Sequence, residues 1–415
     1  VRTTTETIPP DKEPSALGFD ADRLRRIGGH LDRYVDSGRL PGWSVLVARD
    51  GQVVYRGRGG WRDVEAKLAV QDDTIFRIYS MTKPITSIAA LMLVEEGRID
   101  LLDPVAEYIP AFASPRVYQG GPPTAPVLVP ATEPIRIWHL LTHTAGLTYG
   151  FHFVHPVDAM YRHAGFTFGT PPGLDLEACC DRWAGLPLMF EPGSSWCYSV
   201  ASDVLGRVVE VAEGRSLEAV LAERILGPLG MADTGFYVAS GKVEKVAALY
   251  APEPDTGRVR RFDLAPPIPT ARPTCLSGGG GLFSTIDDYH RLLRLVVGEG
   301  DSDGTRLLSP RTVALMAANH LPGGADLEQF GQRLYAETPF DGVGFGLGFS
   351  VLVDPVKAKT LGSPGEIAWG GAASTAFWVD PATGVSAIFM TQLMPSNTLS
   401  VRRELRTLVY QAMVD

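Results

Sequence analysis

Apolar residues first recur at helical spacing between Asp20 and Ser37, where Leu24, Ile27, Leu31 and Tyr34 fall three or four apart and mark one buried face. A hairpin follows: Trp43 to Ala48 and Val53 to Gly57 are strand-like, and Asp50-Gly51 between them supplies the positive φ of a tight turn. From Ser80 to Glu96 the period is helical again, with Ile85, Ile88, Ala89, Met92 and Leu93 on one side, Pro84 in the first turn and Gly97 past the end. Residues 110 to 134 are rich in Pro and Gly without periodicity. From there to about residue 235 the spacing is helical, most clearly at Val204, Val208 and Val211 and at Leu217, Val220, Leu221 and Ile225. Strands return at Gly346 to Val353, Ala373 to Val379 and Val385 to Gln392, the last two joined by turn residues Asp380 to Gly384, and a helix from about Asn397 to Met413 closes the chain.

Strands at both ends with helices between predict an α+β fold, an antiparallel sheet flanked by helices plus an inserted helical domain. The sheet domain is discontinuous, 18–109 and 236–415; the helical domain is 110–235, and 1–17 form a polar leader. The ligand cleft is expected between the two domains.

With 45% apolar and 20% charged residues over 415 positions the chain reads as globular and too long to depend on a disulfide scaffold. Its 38 basic against 47 acidic residues give a net charge of −9 without any basic run, which argues against nucleic acid as a partner. No apolar stretch approaches the ~18 residues of a membrane span, and the first residues lack an apolar signal core, so a cytoplasmic location with no membrane partner is expected. Four cysteines, two of them adjacent (Cys179, Cys180), have neither zinc nor disulfide-framework spacing and are expected as free thiols. No residue pattern fixes an oligomeric state.

Ser80-Met81-Thr82-Lys83 sets a hydroxyl and an amine three apart at a helix start, on one side of the same turn. A lysine whose ammonium is disfavoured by desolvation can take the serine proton, and the helix N-terminus favours the developing negative charge. Tyr198, just before a helical segment, offers a phenolic hydroxyl to the cleft. Trp369-Gly370-Gly371-Ala372 leads into a strand, where glycines let a backbone N–H approach a ligand closely.

These segments, with IYSMTKPITSIAALMLVEEGRIDLLDPV, IRIWHLLTHTAGL, FEPGSSWCYSV, ILGPLGMADTGF, LSGGGGLFSTIDDY and WGGAASTAFWVDP in that order, make the chain resemble the serine β-lactamase and penicillin-binding-protein superfamily from about residue 20 to 410. It is most similar to the class C side, to family VIII carboxylesterases and related acyltransferases. The resemblance implies a β-lactamase-like fold, Ser80 as acylated nucleophile, Lys83 as its partner in the SxxK motif, and Tyr198 as the tyrosine of Tyr-x-Asn. It also implies an oxyanion hole made by the backbone N–H groups of Ser80 and Ala372. Which of Lys83 and Tyr198 is the base stays open, because coupled groups titrate as a pair.

Two departures from the lactamase pattern bear on substrate. Trp369-Gly370-Gly371 stands where Lys-Thr-Gly is expected, removing the cation that would hold a penicillin carboxylate, and Val200 replaces the amide of Tyr-x-Asn. Both point to neutral acyl esters, with Trp369, Gly370, Gly371 and Val200 as substrate-binding positions. The expected function is a serine carboxylesterase for small or medium acyl esters, needing no cofactor or metal, with a small-molecule ester as its partner. The alternatives are an acyltransferase using the same acyl-enzyme, a β-lactamase or D-alanyl peptidase, and a non-catalytic binding protein on this scaffold.

Other signals read as structural. Gly300-Asp-Ser302-Asp-Gly304 matches a nucleophile-elbow expression but follows a helix and is turn-forming, so it is expected as a solvent loop. His139 and His143 lack companion ligands and are expected in structural hydrogen bonds, Cys197 in packing, and Gly278 to Gly281 in a close backbone approach beside the cleft. The aromatics from Tyr149 to Trp183 fit a cleft wall and a helical core equally well, and residues 323–342 have no assigned role.

Overall fold

The computed structural model describes residues 6–264 and 266–415. Its centre is a nine-stranded antiparallel sheet. The strands are β1 (Glu6–Ile8), β2 (Gly42–Arg49), β3 (Gln52–Asp63), β4 (Leu68–Ala69), β5 (Val343–Phe345), β6 (Ser350–Leu352), β7 (Ile367–Gly370), β8 (Ala376–Asp380) and β9 (Val385–Met390), in the order β1-β3-β2-β9-β8-β7-β6-β5 with β4 beside β3. The pairing of β2 with β9, which sets Arg49 opposite Val385 and Ser44 opposite Met390, joins the two ends of the chain into one sheet.

Strand alternation sorts the side chains between two cores. Val45, Val47, Trp378, Ala387 and Phe389 pack under α1 (Ala21–Asp36), whose N-cap Asp20 accepts from the Arg23 N–H. The C-terminal helix, which carries Arg402 and runs Val401–Tyr410, covers the same face through Val401, Leu405 and Val409. Leu46, Ala48, Phe377, Val379, Ile388 and Met390 face the larger core, which includes α2 (Thr82–Glu95). Helix α2 is buried on almost every side, Ala90 and Leu91 included, rather than along the one stripe its spacing suggests, because α3 (Ala201–Glu213) packs on it from the middle of the chain. Further helices there are Ile137–Leu141, Pro156–His163, Leu176–Ala184 and Leu217–Leu221.

Several expectations are corrected. Within the polar leader, which carries no strand periodicity, Glu6, Thr7 and Ile8 pair through the backbone with Arg58, Gly57 and Arg56 as an edge strand, while residues 1–5 lie outside the described residues. Within 110–134, Arg116–Gly120 and Val127–Pro130 form a hairpin. The single strand expected over Gly346 to Val353 is the second half of the β5–β6 hairpin. Its turn holds Gly346 and Gly348 because a Cβ would lie 2.4 Å from the Met316 carbonyl oxygen at Gly346 and 2.2 Å from Ser87 Oγ at Gly348, where φ is +105°. Trp369 and Gly370 end a strand of their own, β7, instead of leading into one. Ser302 lies in a short hairpin whose turn, Asp303-Gly304, has positive φ at both positions. No helix among the described residues is long and apolar enough to cross a membrane.

Candidate active site

Tyr79, immediately before Ser80, holds φ at +43°, a left-handed conformation rare outside glycine, as the chain turns through a 3₁₀ segment (Tyr79–Met81) into α2. That turn puts Ser80, 9% exposed, at the N-terminus of the helix and Lys83 one turn on. Lys83 Nζ is 3.3 Å from Ser80 Oγ, 3.1 Å from the Tyr149 hydroxyl and 2.7 Å from the Gly279 carbonyl oxygen. The Tyr198 hydroxyl donates to Ser80 Oγ from the other side. Ser80, Lys83 and Tyr198 are therefore brought together in one buried cluster.

The segment carrying Tyr198 is pinned on both flanks. Cys197 N–H donates to the His143 carbonyl (2.9 Å), Trp196 N–H to the Phe330 carbonyl (3.2 Å), and His152 Nε2 lies 2.7 Å from the Tyr198 carbonyl oxygen. Tyr149, His143 and Trp369 meet the Tyr198 ring edge-on, with centroids 5.2, 5.3 and 5.4 Å away. Such a box leaves the phenol little rotational freedom.

Burial sets the protonation states. Lys83 has no exposed surface, and desolvation pulls its ammonium down to about 8, with the Asp203 and Glu337 carboxylates opposing the shift. Burial pushes Tyr198 and Tyr149 well above the ordinary phenol value, so both are neutral around neutral pH, Tyr198 donating to Ser80 and the Tyr149 oxygen accepting from Lys83. Asp203, on the first turn of α3, accepts from Ser277 Oγ (2.5 Å) and from the Gly279 N–H (3.0 Å). A Cβ on Gly279 would lie 2.4 Å from Asp203 Oδ2, which is why this stretch of the glycine run can supply a carbonyl to Lys83. Replacing Asp203 with asparagine removes a charge that favours the ammonium, so the Lys83 titration is expected to move to lower pH. Direct ¹⁵N NMR titration of the lysine side chain checks it, and an unchanged or higher midpoint counts against this account of the charge balance.

The other expected residues are placed as follows. Val200 is 4% exposed and belongs to the large core at the start of α3. Trp369 is 2% exposed and packs edge-on against Tyr198, with its indole N–H on the side of the Tyr198 hydroxyl. The open faces of Gly370 and Gly371 are filled by protein: a Cβ would lie 2.5 Å from Arg402 Cζ at Gly370 and 2.3 Å from the Ile78 carbonyl oxygen at Gly371. The Gly371 contact sets the turn holding Ala372 beside the residues that lead into Ser80. Neither the Ser80 nor the Ala372 N–H has an acceptor among the described residues.

Three participants have no signal in the sequence, Tyr149, Asp203 and Glu337, while the Gly279 carbonyl on Lys83 is the close backbone approach expected of the glycine run. Asp203 looks like an ordinary acidic residue in a helix's first turn, and Tyr149 is one of many aromatics. The aromatic segment divides between both readings: Tyr161, Phe166 and Trp183 are core, Phe151 stacks on Tyr149 at 4.6 Å, and Phe153 and Phe168 are exposed. His139 Nδ1 accepts from the Arg136 N–H and His143 Nδ1 meets Ser199 Oγ at 3.1 Å. Among the described residues no group of three His, Cys, Asp or Glu side chains could hold a metal. Cys197 is buried with its Sγ 3.4 Å from Met189 Sδ, burial pushes its thiol up, and all four cysteines are free.

A model of the Beta-lactamase family matches residues 28–411. Esterase EstB of Burkholderia gladioli is 34% identical over 399 residues, covering 91% of this chain and 93% of that one. Acyltransferase calJ of Penicillium decumbens is 31% identical over 415 residues, covering 95% of each. Among solved structures, EstCE1, described as a hydrolase with promiscuous acyltransferase activity, superposes with a TM-score of 0.79 at 30% identity, over 94% of this chain and 99% of that one.

Proposed function

The chain belongs to the Beta-lactamase family, and from that membership and its buried serine, lysine and tyrosine cluster we propose that it is a serine carboxylesterase acting on small or medium acyl esters. One observation carries the reading. Lys83, stripped of solvent so that its amine is free above about pH 8, stands 3.3 Å from a Ser80 oxygen that also receives the Tyr198 hydrogen bond.

Ser80 Oγ attacks the ester carbonyl while Lys83 takes its proton, and the carbonyl oxygen, now negative, is held by the Ser80 and Ala372 N–H groups. The carbon–oxygen bond to the alcohol breaks, Tyr198 gives the departing alkoxide a proton, and the Lys83 ammonium restores it. Water then repeats the sequence on the acyl-enzyme. Trp369, in place of a cation, favours a neutral substrate over one carrying a carboxylate, while Gly370, Gly371 and Val200 act only through the packing behind the site. No cofactor is required. The reading keeps the division into a sheet unit (18–109 with 236–415) and a helical insertion (110–235), and a cytoplasmic location, which four free thiols support.

Acyl transfer is the second reading, favoured by calJ and by the acyltransferase side activity of EstCE1. Turnover of p-nitrophenyl butyrate, of the same ester with an added alcohol or amine, and of a chromogenic cephalosporin separates the possibilities. The expected result is ester hydrolysis without acceptor and little cephalosporin turnover. Turnover only with acceptor present would assign transfer, and faster cephalosporin than ester turnover would overturn the proposal.

A further inference from the structure

Arg402 occupies an unfavourable place for a cation, the first turn of the helix Val401–Tyr410, where the helix dipole opposes positive charge. Its Nε is buried without a partner among the described residues, a further cost. Its Nη2 donates to two carbonyls at once, Gly371 and Thr375, each at 2.7 Å, and its Nη1 donates to Glu337 Oε2 at 2.8 Å. The guanidinium lies so close on β7 that the position against it must be glycine: a Cβ at Gly370 would lie 2.5 Å from Cζ and Nη2 and 2.7 Å from Nη1.

The Gly371 carbonyl and the Ala372 N–H belong to one planar, trans peptide group, so they point in opposite directions. A charged donor fixed on that carbonyl sets the plane, aims the N–H and polarises it. The turn is closed further by Gly371 N–H to the Thr375 carbonyl (2.9 Å) and Ser374 N–H to the Gly371 carbonyl (2.9 Å), while Ser374 Oγ donates to the Leu393 carbonyl (2.6 Å). Of these contacts, the Arg402 bond to the Gly371 carbonyl alone comes from a side chain outside the turn and acts on the Gly371–Ala372 peptide itself.

We propose that Arg402 is a positioning residue for the oxyanion hole, holding the Gly371–Ala372 peptide so that the Ala372 N–H faces the reacting carbonyl, and that Glu337 holds Arg402 in place. This rests on the proposed function, in which that N–H stabilises the tetrahedral oxyanion. Tyr335 completes the support by donating to Glu337 Oε1 at 2.6 Å, which gives the unassigned segment 323–342 a role behind the site.

An ester and its thionoester, whose sulfur accepts hydrogen bonds poorly, separate the two layers of the argument. The wild-type protein is expected to turn over the oxygen ester faster by about 10²-fold or more, the scale of an oxyanion donor; a ratio near one would overturn the oxyanion reading itself. With that ratio in hand, Arg402→Ala is expected to lower kcat on the oxygen ester by about 10- to 100-fold, with KM nearly constant and the oxygen-to-sulfur ratio collapsing. A lower kcat with an unchanged ratio would overturn the role of Arg402. Gly370→Ala, which displaces the guanidinium without removing it, is expected to reproduce the loss in the wild type and to add nothing in the Arg402→Ala background. Equal damage in both backgrounds overturns the proposal. Should Arg402→Ala not fold, Arg402→Lys serves in both comparisons, since a lysine cannot span both carbonyls and Glu337 together.

Discussion

Ser80→Ala is expected to remove ester turnover almost completely, a fall in kcat/KM of about 10⁴-fold or more, because the alanine leaves the lysine, the phenol and both amide donors in place with nothing to acylate. The same variant is expected to lose the covalent adduct of an alkyl phosphonate, read as the missing mass increment in the intact protein. The substitution is small and removes only the hydroxyl's bonds with Lys83 and Tyr198, so the fold is expected to survive, with thermal unfolding close to wild type. Turnover persisting in Ser80→Ala at more than a trace would place the nucleophile elsewhere and end the acyl-enzyme reading.

The second large effect concerns Lys83. A neutral amine is the reactive form, and burial brings its titration to about 8; protonation therefore switches the site off, and kcat/KM is expected to rise with pH through that region with the slope of a single proton. Tyr198, held well above the ordinary phenol value, adds no titration in that range. Lys83→Met is expected to lower the rate by about 10²- to 10⁴-fold and to abolish the acidic limb. Lys83→Arg is expected to fare no better, since guanidinium does not deprotonate in this range. A Lys83→Met profile that still rises near pH 8 would assign the limb to another group. The side chain is buried and bonded to three partners, so circular dichroism of each variant accompanies the kinetics.

The parts of this molecule that could be read from the chain are those whose signal is local. The α1 stripe, the Asp50-Gly51 hairpin and the Ser80-to-Lys83 spacing each depend on residues within a turn or two of one another, and each appears where the pattern puts it. Helix α2 was read in position but not in environment: Ala90 and Leu91 are covered by elements far along the chain, which a single-segment period cannot register. The β5–β6 hairpin was missed because Gly346 and Gly348 answer to Met316 and Ser87, not to their neighbours. The same holds at the site. Tyr149, Asp203, Glu337 and Arg402 acquire meaning only through contacts across the fold, and Gly370 and Gly371 look like open approaches to a ligand until the Arg402 guanidinium and the Ile78 carbonyl are seen to fill them.

The union of β2 with β9 has a further consequence for how the molecule comes into being. β2 is made long before β9, its neighbour in the sheet, and contacts so distant in sequence form slowly. Until that closure the edge of β2 that faces β9 lies unpaired, and the strands carrying the Ala372 turn are separated from the half of the sheet that holds β2 and β3. Closure of β2 on β9 is thus expected to come late in folding, and regain of the proposed ester turnover in a refolding time course is expected to follow it.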